Sequence, residues 1–261
     1  MSRSKRKGKV YYRDCAVVLT YHDLDPDVHL NSPYCLTPRL FGEHLDALKQ
    51  NGFKIINMES FIKFMKSGKR IPPNAVVITF DDGEKSFYTY AYPLLMQRCV
   101  KATNFIVGKK IDAGRGISWD QMREMKQNGF SFYSHTYNHH RNSNYGENKR
   151  LLTSPQFLEN ENRLESEIEY EHRVLDDLSL IENRIQEELG EQTKLLSFPF
   201  GAYNDKVVEI GQSMGIELFF TVNRGLNHAG QWLVKRINAG EGDLSPESLI
   251  QLILNYAGQK S

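Results

Sequence analysis

Two six-residue runs, Ala16–Tyr21 (AVVLTY) and Ala75–Phe80 (AVVITF), constrain the fold of this chain more than any other feature. Both are apolar almost throughout and rich in β-branched residues, the pattern of strands covered on both faces. Such strands need helices packed over them, so they predict a mostly parallel sheet or barrel. Further strands are expected at Thr103–Val107, Phe130–Ser134, Lys194–Phe198 and Glu217–Val222. Helical patterns fall between them at Pro38–Asn51, Ser86–Arg98, Ser118–Asn128 (opened by Ser118, closed by Gly129), Asp205–Met214 and Pro246–Tyr256. The alternation reads as an α/β fold, a single distorted (β/α) barrel. Pro155–Leu189 is long, charged and poor in glycine, and is expected to form one or two surface helices with an exposed charged face. A basic segment, 1–15, precedes a catalytic domain, 16–261, in which 142–190 is a charged helical excursion.

A chain of 261 residues with 40% hydrophobic content can bury a substantial core in one domain. Lys and Arg number 33 against 32 Asp and Glu, so a net charge of +1 gives no argument for a nucleic-acid partner. No apolar run has the length of a signal peptide or a membrane span. The polar start suits a cytoplasmic protein as well as an exported one whose leader has been removed. Cys15, Cys35 and Cys99 are too few and too irregularly spaced for a disulfide framework or a thiolate metal site.

In barrels the chemistry gathers where strands end. Ala75–Phe80 runs directly into Asp81, Asp82 and Gly83. Adjacent strand residues point in different directions, so one carboxylate can bind a metal while the other serves as a base. Phe130–Ser134 runs into His135-Thr136-Tyr137-Asn138-His139-His140, three imidazoles within six residues. Carboxylate plus neutral imidazole is a ligand set for zinc or a similar divalent ion.

These motifs, Thr79-Phe80-Asp81-Asp82-Gly83 and His135 to His140, resemble the first two of the NodB-like polysaccharide deacetylases, carbohydrate esterase family 4. The resemblance implies that Asp81 is the catalytic base, that Asp82 and His135 are metal ligands, and that the ion is zinc, with cobalt or nickel as alternatives. Ser197-Phe198-Pro199-Phe200-Gly201-Ala202-Tyr203-Asn204 resembles the third motif, which walls the groove and offers the backbone N–H of Phe200 to the oxyanion. Many members carry an Arg three residues before that proline to orient the base. This chain has Leu196 there, leaving Arg236 as a candidate. Tyr137, Phe200, Tyr203 and Trp119 could line a groove for sugar rings.

Val17-Val18-Leu19-Thr20-Tyr21-His22-Asp23 places a histidine before the carboxylate pair, where the order resembles the biofilm poly-β-1,6-N-acetylglucosamine deacetylases. In that branch the early histidine is the catalytic acid, which implies His22 rather than His228. The branch spaces its two ligand histidines by five residues, implying His140, whereas the wider family's spacing of four would select His139. The expected function is removal of N-acetyl groups from an amino-sugar polysaccharide at the cell surface or outside the cell. Alternatives are a peptidoglycan, chitin or acetyl-xylan deacetylase, or an inactive carbohydrate-binding barrel.

Overall fold

The computed structural model describes residues 9–27 and 33–258. Nine parallel-paired strands form the main sheet: β1 (Ala16–Tyr21), β2 (Lys54–Ile55), β3 (Ala75–Phe80), β4 (Thr103–Ile106), β5 (Ser131–Ser134), β6 (Lys194–Ser197), β7 (Ile216–Phe220), β8 (Leu233–Val234) and β9 (Ile237–Asn238). The ladder runs β8-β7-β6-β5-β4-β3-β1-β9, with β2 on β3. Its two ends, β8 and β9, belong to one stretch of chain separated by Lys235 and Arg236, so the sheet curls until a single segment bridges its edges. Among the described residues seven α-helices accompany it: α1 (Pro38–Gln50), α2 (Met58–Ser67), α3 (Tyr92–Gln97), α4 (Trp119–Gln127), α5 (Glu167–Leu189), α6 (Asp205–Ser213) and α7 (Pro246–Ala257).

Both apolar runs are strands buried along their whole length, paired in register from Ala16 on Ala75 to Tyr21 on Phe80. Alternate residues divide between two layers. Ala16, Val18, Ala75, Val77, Phe105, Tyr133, Leu195, Phe220 and Val234 form the inner core, closed by Phe61, Phe64 and Met65 of α2. Val17, Leu19, Tyr21, Val76, Ile78, Phe80, Ile106 and Phe132 face outward under α1, α4 and α7. Phe80, fully buried, packs on Tyr21, Phe41 and Phe87 with ring centroids 5.4, 5.3 and 4.8 Å away. Truncating such a side chain costs about 3–5 kcal/mol. It anchors the strand end that carries Asp81.

Caps explain the helix boundaries. Asn57 accepts the Ser60 N–H at the start of α2, and Ser118 with Gln121 forms a reciprocal capping pair at α4. The expected helix Ser86–Arg98 is divided: Phe87–Ala91 is a π-helical turn and α3 begins at Tyr92. Pro93 lacks the N–H that a regular helix would use there. The expected helix from Pro155 begins only at Glu167, where Ser166 and Glu169 form a capping box. Before it, Phe157–Leu158 and Arg163–Leu164 pair as a small antiparallel ribbon. Nor is α5 merely a charged surface helix, because Tyr170, Val174, Leu178, Ile181 and Ile185 are buried along it. Of the basic segment 1–15, residues 1–8 lie outside the described residues, whereas Tyr12 and Cys15 join the core. All three cysteines are free thiols, only Cys99 exposed. No helix among the described residues is long and apolar enough to cross a membrane.

Candidate metal and catalytic centre

Extending the inner-face register past the strand ends generates most of the site. Val18 and Thr20 lead to His22, Val77 and Thr79 to Asp81, Tyr133 to His135, Leu195 to Ser197, and Val234 to Arg236. Side chains on one face recur every second residue, so each lands at the same rim. Asp82 would point outward in that register, but a turn redirects it. Asp82 and Gly83 both have positive φ, 76° and 70°, and a Cβ on Gly83 would stand 3.2 Å from Ile106 Cγ2. The glycine permits the close approach that folds Asp82 back over the rim.

Donor atoms of Asp82, His135 and His140 lie within 4.8 Å of one another. Asp82 Oδ1 is 3.7 Å from His135 Nε2 and 3.1 Å from His140 Nε2. That oxygen is buried and has no hydrogen-bond partner among the described residues. A buried carboxylate oxygen facing two imidazole nitrogens is costly unless a cation lies among them. His135 Nδ1–H donates to the Ser197 carbonyl at 2.8 Å, leaving Nε2 with its lone pair toward Asp82. Burial pushes the His135 imidazole down to about 4, so it is neutral, as a ligand must be. The donor set therefore fits a divalent ion of the zinc type.

His139 is turned away from this cluster. Its Nε2 lies 3.1 Å from Arg173 Nη1 and 3.5 Å from Asp177 Oδ1, both on α5. Burial and Arg173 push its imidazole down to about 3.

Asp81 is held by Arg236 through two hydrogen bonds, Nη1 to Oδ1 at 2.7 Å and Nη2 to Oδ2 at 2.8 Å. Ser197 Oγ donates to Asp81 Oδ2 at 3.2 Å and accepts from Arg236 Nη2 at 2.9 Å. Burial alone would raise the Asp81 carboxyl, but the charge and hydrogen bonds of Arg236, together with His135 and His22, outweigh it and hold the group well below the usual carboxylate range. Leu196, at the position where many members carry the Arg, packs outward with Val174, Leu178 and Phe219. Arg236 occupies the inner face instead. Its sequence signal was weak: one arginine in a two-residue gap between two-residue strands.

These residues open onto a cleft of about 500 Å³, whose walls include His22, Tyr34, Arg150, Phe198, Phe200 and Arg224. His22 Nδ1 is buried without a hydrogen-bond partner among the described residues. Phe200 adopts φ 59° and ψ 11°, its ring lying 4.4 Å from that of His140 and under the Arg150 guanidinium at 4.0 Å. Tyr203 stacks on Phe198 at 4.8 Å. Tyr137 and Trp119 are elsewhere, lining a separate hollow with Ile181 and Arg184, so they are not walls of this cleft. His228 follows Asn227, which pairs with Ala16 at the opening of β1, the end of the sheet opposite His22.

A family model for polysaccharide deacetylases matches residues 68–219, more than half of the 261 residues. That span holds Asp81, Asp82, His135 and His140 but neither His22 nor Arg236. The chain is 26% identical over 227 residues to YxkH of Bacillus subtilis, a protein assigned to the polysaccharide deacetylases, covering 86% of this chain and 71% of that one. It is 24% identical over 234 residues to the poly-β-1,6-N-acetyl-D-glucosamine N-deacetylase of Escherichia coli K12, covering 82% of this chain but only 35% of that one. This chain thus spans roughly a third of that relative. The fold matches that of a de-N-acetylase from Aggregatibacter actinomycetemcomitans with a TM-score of 0.83 at 24% identity, over 92% of this chain and 100% of that one. With the expected α/β barrel found and a family model spanning both the carboxylate pair and the histidine cluster, this chain belongs to the polysaccharide deacetylases.

Proposed function

We propose that the chain removes N-acetyl groups from poly-β-1,6-N-acetylglucosamine, using a divalent ion, zinc or in its place cobalt or nickel, held by Asp82, His135 and His140. The observation that carries this reading is the orphaned Asp82 oxygen facing two imidazoles beside a second, separately held carboxylate. Once bound, such an ion would polarise the acetamide carbonyl and lower the pKa of a neighbouring water. The proton movements fall to the chain. Asp81, ionised throughout the working pH range and fixed by Arg236 and Ser197, accepts the proton of the attacking water. His22, on the wall of the same cleft, delivers a proton to the departing amine. The Phe200 N–H stabilises the developing oxyanion, while the exposed Phe200 ring offers apolar surface to the sugar and the buried Phe198 ring, stacked on Tyr203, backs that wall.

The name of the Escherichia coli relative and the early Tyr21-His22 pair support this polymer over chitin or peptidoglycan. A polymer of that kind would put the enzyme's work at the cell surface. Acetate release should be measured on oligomers of poly-β-1,6-N-acetylglucosamine, chitin, peptidoglycan and acetyl-xylan, before and after chelation and metal return. Release from the first, lost on chelation and restored by zinc, is expected. Faster release from another glycan would reassign the substrate, full activity without metal would remove the ion, and no release at all would favour a binding barrel.

A further inference from the structure

We infer that Asp177, on the charged helix α5, is a positioning residue for the metal centre: it holds the loop that carries His135 and His140 at the spacing an ion requires. The inference rests on the proposed reading of Asp82, His135 and His140 as ligands. Between those two histidines the chain must leave the strand, turn and return. Thr136 makes the turn with φ 69°, its N–H donating to Ser134 Oγ at 3.1 Å. The next two amides, of Tyr137 and Asn138, then point to the same side and donate to Asp177, at 2.8 Å to Oδ2 and 2.8 Å to Oδ1. Two successive N–H groups converging on one carboxylate form an anion-holding nest, here filled by a side chain from 39 or 40 residues further along.

The opposite edge of the loop is pinned as well. The carbonyls of Thr136 and Tyr137 accept the N–H groups of Gly108 and Lys109 at 3.0 and 2.8 Å, and a Cβ on Gly108 would stand 2.3 Å from Tyr137. Without Asp177, two part-buried amides would seek new partners, and among the described residues no other carboxylate of α5 accepts from this loop's amides. Arg173, one helical turn earlier, fixes His139 from the same helix and is itself held by Glu165 and the carbonyls of Leu151 and Ser154. Asp177 lies 3.5 Å from His139, not at the metal cluster, so its action on the ion is indirect. The charged excursion 142–190 thereby acquires a task.

Asp177→Asn keeps the shape and one acceptor oxygen while replacing the other by a donor; Asp177→Ala removes both. Cobalt affinity, measured by chelator competition, and the visible absorption of the cobalt-loaded protein report on ligand geometry independently of turnover. We expect affinity to fall by about 10-fold to 100-fold across the series wild type, Asn, Ala, with an altered cobalt spectrum. We also expect a lower kcat with little change in KM, at temperatures where each variant is folded. Wild-type cobalt affinity and spectrum in both variants would overturn the inference, as would failure of Asp177→Asn to fold, which would assign the residue to the fold as a whole. Failure of the wild type itself to bind cobalt would overturn the reading of the metal site and the inference with it, an outcome visible without any variant.

Discussion

Arg236 and Asp81, 155 residues apart, meet fork to fork below the rim of the cleft, both almost wholly withdrawn from solvent. Two parallel bonds fix a carboxylate in rotation as well as position, which one ammonium cannot do. A further Arg236 link, from Nε to the Thr221 carbonyl at 2.9 Å, ties the pair to the end of β7.

Arg236→Ala should therefore cost about 3–5 kcal/mol of stability, since it strands a buried carboxylate, and should depress kcat strongly. Arg236→Lys keeps the charge and loses the fork, so it should fold better yet remain impaired in turnover. Urea denaturation and acetate release check the two halves separately. Wild-type kcat in Arg236→Lys would show that charge alone suffices.

The two candidate third ligands separate cleanly by mutation. His140→Ala should lose metal on dialysis, whereas His139→Ala should retain it and lose only stability, because its ring faces Arg173 and Asp177. Metal content by atomic absorption on folded protein gives the answer. The reverse pattern would reassign the ligand.

His22→Ala should keep stoichiometric metal and lose about 10²–10⁴-fold in kcat, the usual contribution of a positioned acid. His228→Ala should be nearly silent, since that residue adjoins the opposite end of β1. Dead His228→Ala beside an active His22→Ala would return the acid to the C-terminal side.

Glu182 on α5 predicts a pH dependence outside the catalytic centre. Its Oε1 is buried without a hydrogen-bond partner among the described residues, and burial pushes its carboxyl up to about 7, against a small opposing pull from Lys194. The unfolded chain loses this proton near 4.5 while the folded chain keeps it to about 7. Stability thus falls as pH rises through that window and levels off above it. Glu182→Gln should remove this loss, gaining about 1–3 kcal/mol at pH 8 and little at pH 4.5. Melting curves at the two pH values test it; equal shifts at both would mean that the carboxyl is not the cause.

The sequence revealed those parts of the fold whose signal is local. Ala16–Tyr21 and Ala75–Phe80 could be read because full burial leaves an unbroken apolar run, and the carboxylate pair and histidine cluster because each follows such a strand directly. Strands β8 and β9 have two residues each, too short for any periodicity, yet they close the sheet and place Arg236. Phe157–Leu158 was hidden inside a charged stretch that otherwise reads as helix. Asp177 was invisible for a related reason: an Asp amid the acidic residues of a long helix looks solvated until the loop it supports is seen.

Closure of the sheet by one late segment has a consequence for biosynthesis. The ribosome delivers His22, the proposed acid, well before Arg236, the counter-ion of Asp81. A nascent chain that has emerged only to residue 230 already carries both carboxylates and every imidazole of the cleft, but Asp81 lacks Arg236 and β1 lacks β9, its partner at Leu19 and Thr20. Such an intermediate leaves the outer edge of a largely apolar strand incompletely paired, the kind of edge that recruits other chains. For this architecture the dangerous interval follows the emergence of β1, and it ends when the segment through Lys235 and Arg236 sets β8 and β9 on the two edges of the sheet.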